Sequence, residues 1–212
     1  MVAAAESNPS EIDALIDSAE RALRSNGPDV GAILSDPRYR SIHGWPRFRN
    51  LIKACARASR ITIVTPREPG KRLRVRLRLI EADGSASPGA LVYCYHTDAT
   101  GDYGPNDARV PLAGSDNNYA RLFGYAVTDS DGIIEIQTIR PGGYPDSAAP
   151  AHIHIRIWCR DQRCFGAEIW FDDDPRVDRE SREEAARDRV VICPVAIDAR
   201  GHESIDAQIR LD

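Results

Sequence analysis

Along residues 72–80, arginines alternate with apolar side chains in the order Arg-Leu-Arg-Val-Arg-Leu-Arg-Leu-Ile. Successive side chains of a strand point to opposite faces, so this pattern predicts a strand with one buried and one solvated face. The arginines then form a solvated strand surface rather than an anion site. Similar runs predict further strands at 90–96, 122–127, 132–138, 152–159, 165–171, 190–197 and 204–211.

Helical spacing of apolar residues is confined to the beginning of the chain. Residues 10–13 resemble a capping box, and apolar residues then recur at helical spacing up to a stop at Asn26-Gly27-Pro28. A second helix is predicted from about residue 46 to residue 58, because a proline suits its first turn. We therefore expect a helical segment over 1–58, whose apolar stripes favour a homodimer, and a β domain over 59–212.

Turn dipeptides rich in glycine, proline and aspartate separate the predicted strands. Their spacing is typical of a mainly β fold, and we expect an antiparallel β-sandwich with N-terminal helices. Two connections, 97–120 and 139–151, are longer than the others. Long loops on a rigid sheet are where binding and catalytic residues usually lie.

Composition narrows the functional classes for the 212-residue chain. Its 28 lysines and arginines nearly balance 32 acidic residues, so the net charge of -4 argues against nucleic acid or an anionic membrane as partner. No apolar run is long enough to span a bilayer, and the first residues lack the features of a secretory signal, so we expect a cytoplasmic protein. Five cysteines without a CxxC pair are expected to be reduced thiols.

The motif His152-Ile153-His154 lies inside the predicted strand 152–159. Residues two apart on a strand share a face, so both imidazoles can converge on one metal ion without distorting the backbone. Two histidines satisfied by hydrogen bonds on a sheet surface would produce the same tripeptide. The motif alone therefore leaves metal binding and a structural role open.

Tyrosines in both long loops favour a metal. Tyr144 lies in Pro-Gly-Gly-Tyr-Pro, shortly before the histidine strand, and Tyr103 follows the strand 90–96. A phenol, with its pKa of about 10, needs a strong Lewis acid to ionise at neutral pH, and ferric iron is such an acid. A zinc-dependent hydrolase or lyase would instead need a third nitrogen ligand or a glutamate, and His96 is then the candidate.

Four blocks of sequence, residues 88–103, 128–132, 138–145 and 150–154, follow one another in a recognisable order. Together they resemble the intradiol ring-cleavage dioxygenases, the family of the protocatechuate and catechol dioxygenases. The similarity covers about residues 60–175, more than half of the chain. The order of the blocks, rather than any one of them, makes the resemblance specific.

The resemblance implies a β-sandwich that binds non-haem Fe(III) through Tyr103, Tyr144, His152 and His154. It also implies a small catechol-like substrate that chelates the iron while one tyrosinate is displaced. Attack of O2 on the activated ring would then give a muconate-type product. The Lewis acidity of ferric iron agrees with this chemistry, and a released tyrosinate is a local base.

Two positions depart from the family pattern. The family's arginine, three residues before the first histidine, is replaced by Ala149, and we expect Arg140 on the Tyr144 loop to take over its catalytic role. Glu168 stands where glutamine is usual, and a carboxylate there would repel a dianionic substrate unless it is hydrogen-bonded elsewhere. Loss of the arginine also leaves open an inactive member that only binds a metal or an aromatic molecule.

Overall fold

A computed structural model describes residues 9–25, 27, 29–104, 120–161 and 163–212. Helices occupy the first part of the chain and one short stretch between the seventh and eighth strands. Their bounds are α1 Pro9–Ser25, α2 Val30–Ser35, a 3-10 helix Pro37–Ile42, α3 Pro46–Cys55 and α4 Arg179–Ala185. None of the helices among these residues is long and apolar enough to cross a membrane.

In the part of the chain that the structure describes, ten strands form two five-stranded sheets around a common hydrophobic core. The first sheet has the order β1-β5-β2-β10-β9 and the second has the order β4-β3-β6-β7-β8. The strands are β1 Arg60–Thr62, β2 Arg72–Glu81, β3 Leu91–His96, β4 Leu122–Val127, β5 Ile133–Ile139, β6 His152–Trp158, β7 Cys164–Phe171, β8 Val190–Cys193, β9 Ala196–Ile197 and β10 Glu203–Leu211. Each predicted strand coincides with one of these, except that 190–197 is split into β8 and β9.

The β-sandwich with N-terminal helices is confirmed, and its sheets are mixed rather than purely antiparallel. Strand pairs β1–β5, β2–β10 and β7–β8 are parallel, while the other five pairs are antiparallel. Alternation within a strand fixes which face is buried but carries no information on the direction of its neighbour. The parallel pairs therefore could not be read from the sequence pattern.

Strand β2 has the two faces that its alternation predicts. Leu73, Val75 and Leu77 are at most 1% exposed and belong to the core. On the other face, Arg74 and Arg76 lie within 4 Å of carboxylates from the neighbouring strands β5 and β10. These arginines form ion pairs on a solvated sheet surface.

The apolar stripe of α1 packs onto the same core as the two sheets. Ile12, Ile16, Ala19 and Leu23 are buried against residues of the sandwich and of the other N-terminal helices. Because the chain itself covers this stripe, the stripe gives no reason to require a second copy. The homodimer, the cytoplasmic location and the division at residue 59 stay predictions.

Candidate metal centre

The two histidines of the His-Ile-His motif lie on one face of β6, as the period of a strand requires. Their ring centroids are 4.5 Å apart. The intervening Ile153, together with Ile155, points to the opposite face and is buried in the core. The sandwich thus anchors the strand from within and presents both imidazoles, His152 and His154, outside the core.

Tyr103 lies at the end of the described part of the connection that follows β3. The main-chain N–H of Arg121 donates to the carbonyl of Tyr103 at 2.7 Å. The guanidinium of Arg121 forms two hydrogen bonds with the carboxylate of Glu68, at 2.8 and 2.9 Å, and the Glu68 side chain is 1% exposed. A buried ion pair therefore anchors the backbone that carries this tyrosine.

The loop that carries Tyr144 is joined to the loop that carries Tyr103. The N–H of Gly142 donates to the carbonyl of Asp98 at 2.8 Å, and the hydroxyl of Thr97 donates to the carbonyl of Gly142 at 2.7 Å. These two hydrogen bonds hold the connection after β3 against the connection after β5. As a result, two tyrosines 41 residues apart in sequence point into the same space.

Four donor atoms from the two tyrosines and the two histidines meet at one point. The hydroxyl oxygens of Tyr103 and Tyr144 are 2.5 Å apart. The Tyr144 oxygen lies 3.0 Å from Nε2 of His152 and 3.3 Å from Nε2 of His154. Nε2 of His154 is 2.9 Å from the Tyr103 oxygen and 3.0 Å from Nε2 of His152. We call these four residues the tyrosine–histidine cluster.

Both histidines of the cluster turn Nε2 towards it and Nδ1 away from it. His152 donates from Nδ1 to the carbonyl of Pro150 at 2.7 Å, and Nδ1 of His154 lies 3.3 Å from a carboxylate oxygen of Glu168. Because a carbonyl only accepts, Nδ1 of His152 is the donor in its contact. Burial, with the nearby His152 adding to it, lowers the pKa of His154 to about 4, so that this ring is neutral at pH 7.

This arrangement fits a bound cation. The two Nε2 atoms are 3.0 Å apart, a separation at which one metal ion could bind both. Nitrogen and oxygen ligands about 2 Å from one ion lie roughly 3 Å from one another, and the cluster's separations of 2.5 to 3.3 Å match this. Two phenol oxygens suit a hard, highly charged ion such as Fe(III).

His96, the candidate third nitrogen ligand of a zinc site, is engaged elsewhere. Its Nδ1 lies 2.6 Å from the carbonyl of Thr97, and its Nε2 lies 2.7 Å from the hydroxyl of Thr138. The side chain is 1% exposed, and burial lowers its pKa to about 4. Both ring nitrogens have partners outside the cluster, so His96 supports the sheet instead of offering a ligand.

Arg140 also lies in a different environment from the one expected. Its guanidinium pairs with Asp173 at 2.5 Å and with Glu203 at 3.4 Å, and it stacks over the ring of Phe171. None of these partners belongs to the tyrosine–histidine cluster. The position of Arg140 on the Tyr144 loop suggested proximity, but its side chain is held by acidic residues of the first sheet and of the turn after β7.

A different arginine contacts position 149. The guanidinium of Arg176, from the turn after β7, donates to the carbonyl of Ala149 at 3.1 Å and packs against Gly143. In the same turn, the carboxylate of Asp174 accepts from the N–H of Ala151 at 2.9 Å. The turn thus supports both ends of the Tyr144 loop and brings a cation beside position 149. No sequence motif marked it.

A cavity of about 430 Å³ opens beside the cluster on the outer face of the second sheet. Its walls include Tyr95, His154, Arg156, Glu168 and Trp170. The ring of Tyr95 stacks on that of His154, with centroids 4.5 Å apart. Cavities of this size accommodate small organic molecules, and an aromatic wall next to polar groups is suited to an aromatic ring that carries hydroxyls.

Comparisons with known proteins agree with this geometry. A sequence-family model described as Dioxygenase matches residues 45–211. A chlorocatechol 1,2-dioxygenase of Rhodococcus opacus is 30% identical over 131 residues, which cover 54% of this chain and 49% of that protein. The chain thus spans about half the length of this curated relative.

Two solved structures have the same fold. The dioxygenase domain of a dioxygenase and carbohydrate-binding fusion protein from Streptomyces sp. SirexAA-E is similar with a TM-score of 0.56 at 23% identity, over 74% of this chain and 88% of that one. An intradiol ring-cleavage dioxygenase from Tetranychus urticae is similar with a TM-score of 0.54 at 22% identity, over 74% and 87%. With a family match over most of its length, the chain belongs to the intradiol ring-cleavage dioxygenase family.

Proposed function

We propose that this protein is a non-haem Fe(III) intradiol dioxygenase that cleaves a catechol-type ring with O2 to a muconate-type product. The observation that carries the proposal is the tyrosine–histidine cluster, in which five of the six pairs of donor atoms are 2.5 to 3.3 Å apart. Bound Fe(III) would supply the Lewis acidity that ionises the two phenols and makes a chelated catecholate reactive towards O2.

In this proposal the two histidines of the cluster hold the metal ion, and the two tyrosines both hold it and transfer a proton. The Nδ1 atoms of His152 and His154 lie against Pro150 and Glu168, so that both rings would turn Nε2 towards a bound ion. A catechol must lose both hydroxyl protons to chelate: the phenolate oxygen of either Tyr103 or Tyr144 can accept one of them when it is displaced, and the other passes to solvent. The proton then rests on a tyrosine Oη beside the substrate.

The cavity borders the cluster at His154, the one cluster residue among its described wall residues, and would receive the part of a bound catechol that extends past this ring. Its volume of about 430 Å³ leaves room for a catechol with small substituents. The relative from Rhodococcus opacus is named for chlorocatechol, so catechol, halogenated catechols and hydroxyquinol are the first compounds to test. Arg176, which contacts the carbonyl of Ala149, supports the proposal by placing a cation beside the loop where the expected arginine is missing.

The zinc-dependent alternative is less well supported by the same residues. His96 has both ring nitrogens engaged by Thr97 and Thr138. Glu168, which lies close enough to both histidines to be considered for a metal site, contacts His154 through Nδ1, on the opposite side of that ring from the tyrosines. Metal analysis of the purified protein separates zinc from iron directly.

Oxygen uptake with a panel of catechols tests the proposed activity. The reaction adds both atoms of one O2 molecule to the ring and leaves two carboxylates, so ¹⁸O2 should place two labelled atoms in each product molecule. Uptake and double labelling with at least one catechol are the expected results. Iron-loaded protein that consumes no O2 with any of them would instead indicate a member that binds a metal or an aromatic molecule without turnover.

A further inference from the structure

Glu168 lies directly opposite His154 in the antiparallel pair of β6 and β7. One of its carboxylate oxygens is 3.3 Å from Nδ1 of His154. The other oxygen accepts a hydrogen bond from the indole N–H of Trp170 at 2.8 Å. The carboxylate therefore accepts from the indole N–H on one oxygen and has Nδ1 of His154 at ion-pair distance from the other.

These contacts explain why a carboxylate suits this position better than an amide. A carboxylate has two accepting oxygens, whereas glutamine has one and would turn its own NH2 group towards the second donor. Trp170 is 7% exposed, so its indole N–H gains little from solvent and needs an acceptor from the protein. These contacts also hold the carboxylate of Glu168 at the rim of the cavity and stabilise its charge.

The two histidines of the cluster are thus oriented by different kinds of acceptor. The partner of His152 is the neutral carbonyl of Pro150, at 2.7 Å. The partner of His154 is a charged carboxylate, which strengthens the electron donation of the imidazole to a metal on its far side. Of the two rings, His154 then becomes the stronger donor.

We propose that Glu168 is a positioning residue for His154: it fixes the ring with Nε2 towards the cluster and adds a negative charge that makes bound Fe(III) harder to reduce. The charge effect rests on the proposed function, because it concerns iron. The orientation effect applies to any cation at the cluster. The two effects can be separated by variants, because orientation needs only an acceptor for Nδ1, whereas the electronic effect needs the charge.

The orientation effect is measured with Co²⁺ alone, titrated into the full chain after removal of its metal. Glu168→Gln should weaken Co²⁺ binding by about 10- to 100-fold, because the single amide oxygen is shared between His154 and Trp170. The double variant Glu168→Gln/Trp170→Phe frees that oxygen for His154 and should restore the affinity to within a few-fold of the wild type. Glu180→Gln, which removes one carboxylate from the exposed surface of α4, is the charge control and should bind normally.

The charge effect is measured on the iron-loaded protein. In Glu168→Gln and in the double variant, the tyrosinate-to-iron absorption band should move to longer wavelength and the reduction potential should become more positive. Trp170→Phe alone, which keeps the carboxylate, should leave the potential more negative than in either Gln variant. Circular dichroism and thermal unfolding of each variant show whether the fold is intact, so that a shift of the band or of the potential can be separated from a loss of stability.

Two results would overturn the proposal. Co²⁺ affinity that is unchanged in Glu168→Gln would show that the carboxylate does not position His154. Affinity that stays low in the double variant would place Glu168 among the metal ligands themselves. If the wild type shows no tyrosinate-to-iron band, the proposed function fails, but the cobalt titrations still decide the role of Glu168.

Discussion

The α-carbon of Gly101 faces the carbonyl oxygen of Gly143 so closely that a β-carbon would not fit between them. Gly101 belongs to the turn before Tyr103, and Gly143 directly precedes Tyr144. This backbone contact brings together the two loops that supply the phenol oxygens. The distance between the tyrosines therefore depends on a residue without a side chain, remote in sequence from the histidine strand.

Gly101→Ala should separate the two loops and weaken metal binding. The new methyl group meets backbone atoms of Gly143, and the residue also has a φ of 89°, which alanine rarely adopts. Gly84→Ala is a matched control, because Gly84 has a φ of 85° but nothing within 4 Å of the added β-carbon. We expect Gly84→Ala to lose about 1–2 kcal/mol of stability from its φ alone. Gly101→Ala should lose more, because the clash with Gly143 adds to the same φ penalty, and only this variant should lose metal. Equal metal content in both variants would show that the contact between Gly101 and Gly143 is not needed to bring the two tyrosine loops together.

Replacement of either cluster tyrosine by phenylalanine should remove one oxygen ligand while the loop remains in place. Tyr103→Phe and Tyr144→Phe should each bind less iron and show a weaker visible band, because fewer tyrosinates contribute to it. Tyr39→Phe is the control: that residue is 1% exposed and its hydroxyl lies 3.2 Å from the hydroxyl of Ser18. Absorption and iron content that change equally in all three variants would mean that neither cluster tyrosine is a ligand.

Glu68→Gln should destabilise the protein strongly, because it leaves the guanidinium of Arg121 without its bidentate partner. Removal of one member of a buried ion pair costs about 3–5 kcal/mol. Glu81→Gln breaks the pair with Arg163, whose side chains are 28% and 41% exposed, and should cost less than about 1 kcal/mol. Urea unfolding measures the free energy lost in each variant. Similar losses in the two variants would show that burial does not make the Glu68–Arg121 pair more stabilising than the exposed pair.

Stability should fall as the pH is lowered from about 6.5 towards about 4. Burial lowers the pKa of both His43 and His96 to about 4, whereas the unfolded chain takes up protons at about 6.5. The contribution of each histidine to the free energy of unfolding is therefore complete above pH 6.5. At pH 5 this contribution is smaller by about 2 kcal/mol for each histidine, because the unfolded chain binds a proton there and the folded protein does not.

Urea unfolding of the metal-free protein at pH 7.5 and pH 5.0 measures this loss. His96→Gln should reduce the difference between the two pH values by about 2 kcal/mol. His202→Gln changes an exposed histidine beside Asp198 and should leave the difference as it is. A wild-type protein that is equally stable at both pH values would rule out neutral buried histidines as a source of acid sensitivity.

The histidine strand and the arginine-rich strand could be predicted from the sequence, because each follows the period of two that one buried face imposes. The pairing of His154 with Glu168 was not predicted, because alternation within a strand does not fix its register against the next strand. In the structure, the turn between the two strands is closed by a hydrogen bond from Cys159 to Arg163, and counting outward from it brings 154 opposite 168. The assignment of Tyr103 and Tyr144 as ligands rested on family resemblance, because the side chains of a loop follow no regular period.

The environment of Arg140 could not be predicted in this way. Its neighbour in sequence is the Tyr144 loop, but its partners Asp173 and Glu203 come from distant parts of the chain. The contact of Arg176 with Ala149 likewise joins two turns that sequence spacing does not relate. Residues 105–119, within the long connection 97–120, lie outside the described residues.

The visible spectrum and metal content of the protein purified in air test the central claim most directly. If Tyr103, Tyr144, His152 and His154 bind ferric iron, the protein should contain about one iron per chain and show a broad tyrosinate-to-iron band in the visible region. Addition of catechol without O2 should shift that band to longer wavelength as the substrate chelates the metal. Native protein that contains zinc or no metal, or a spectrum that catechol leaves unchanged, would contradict the account.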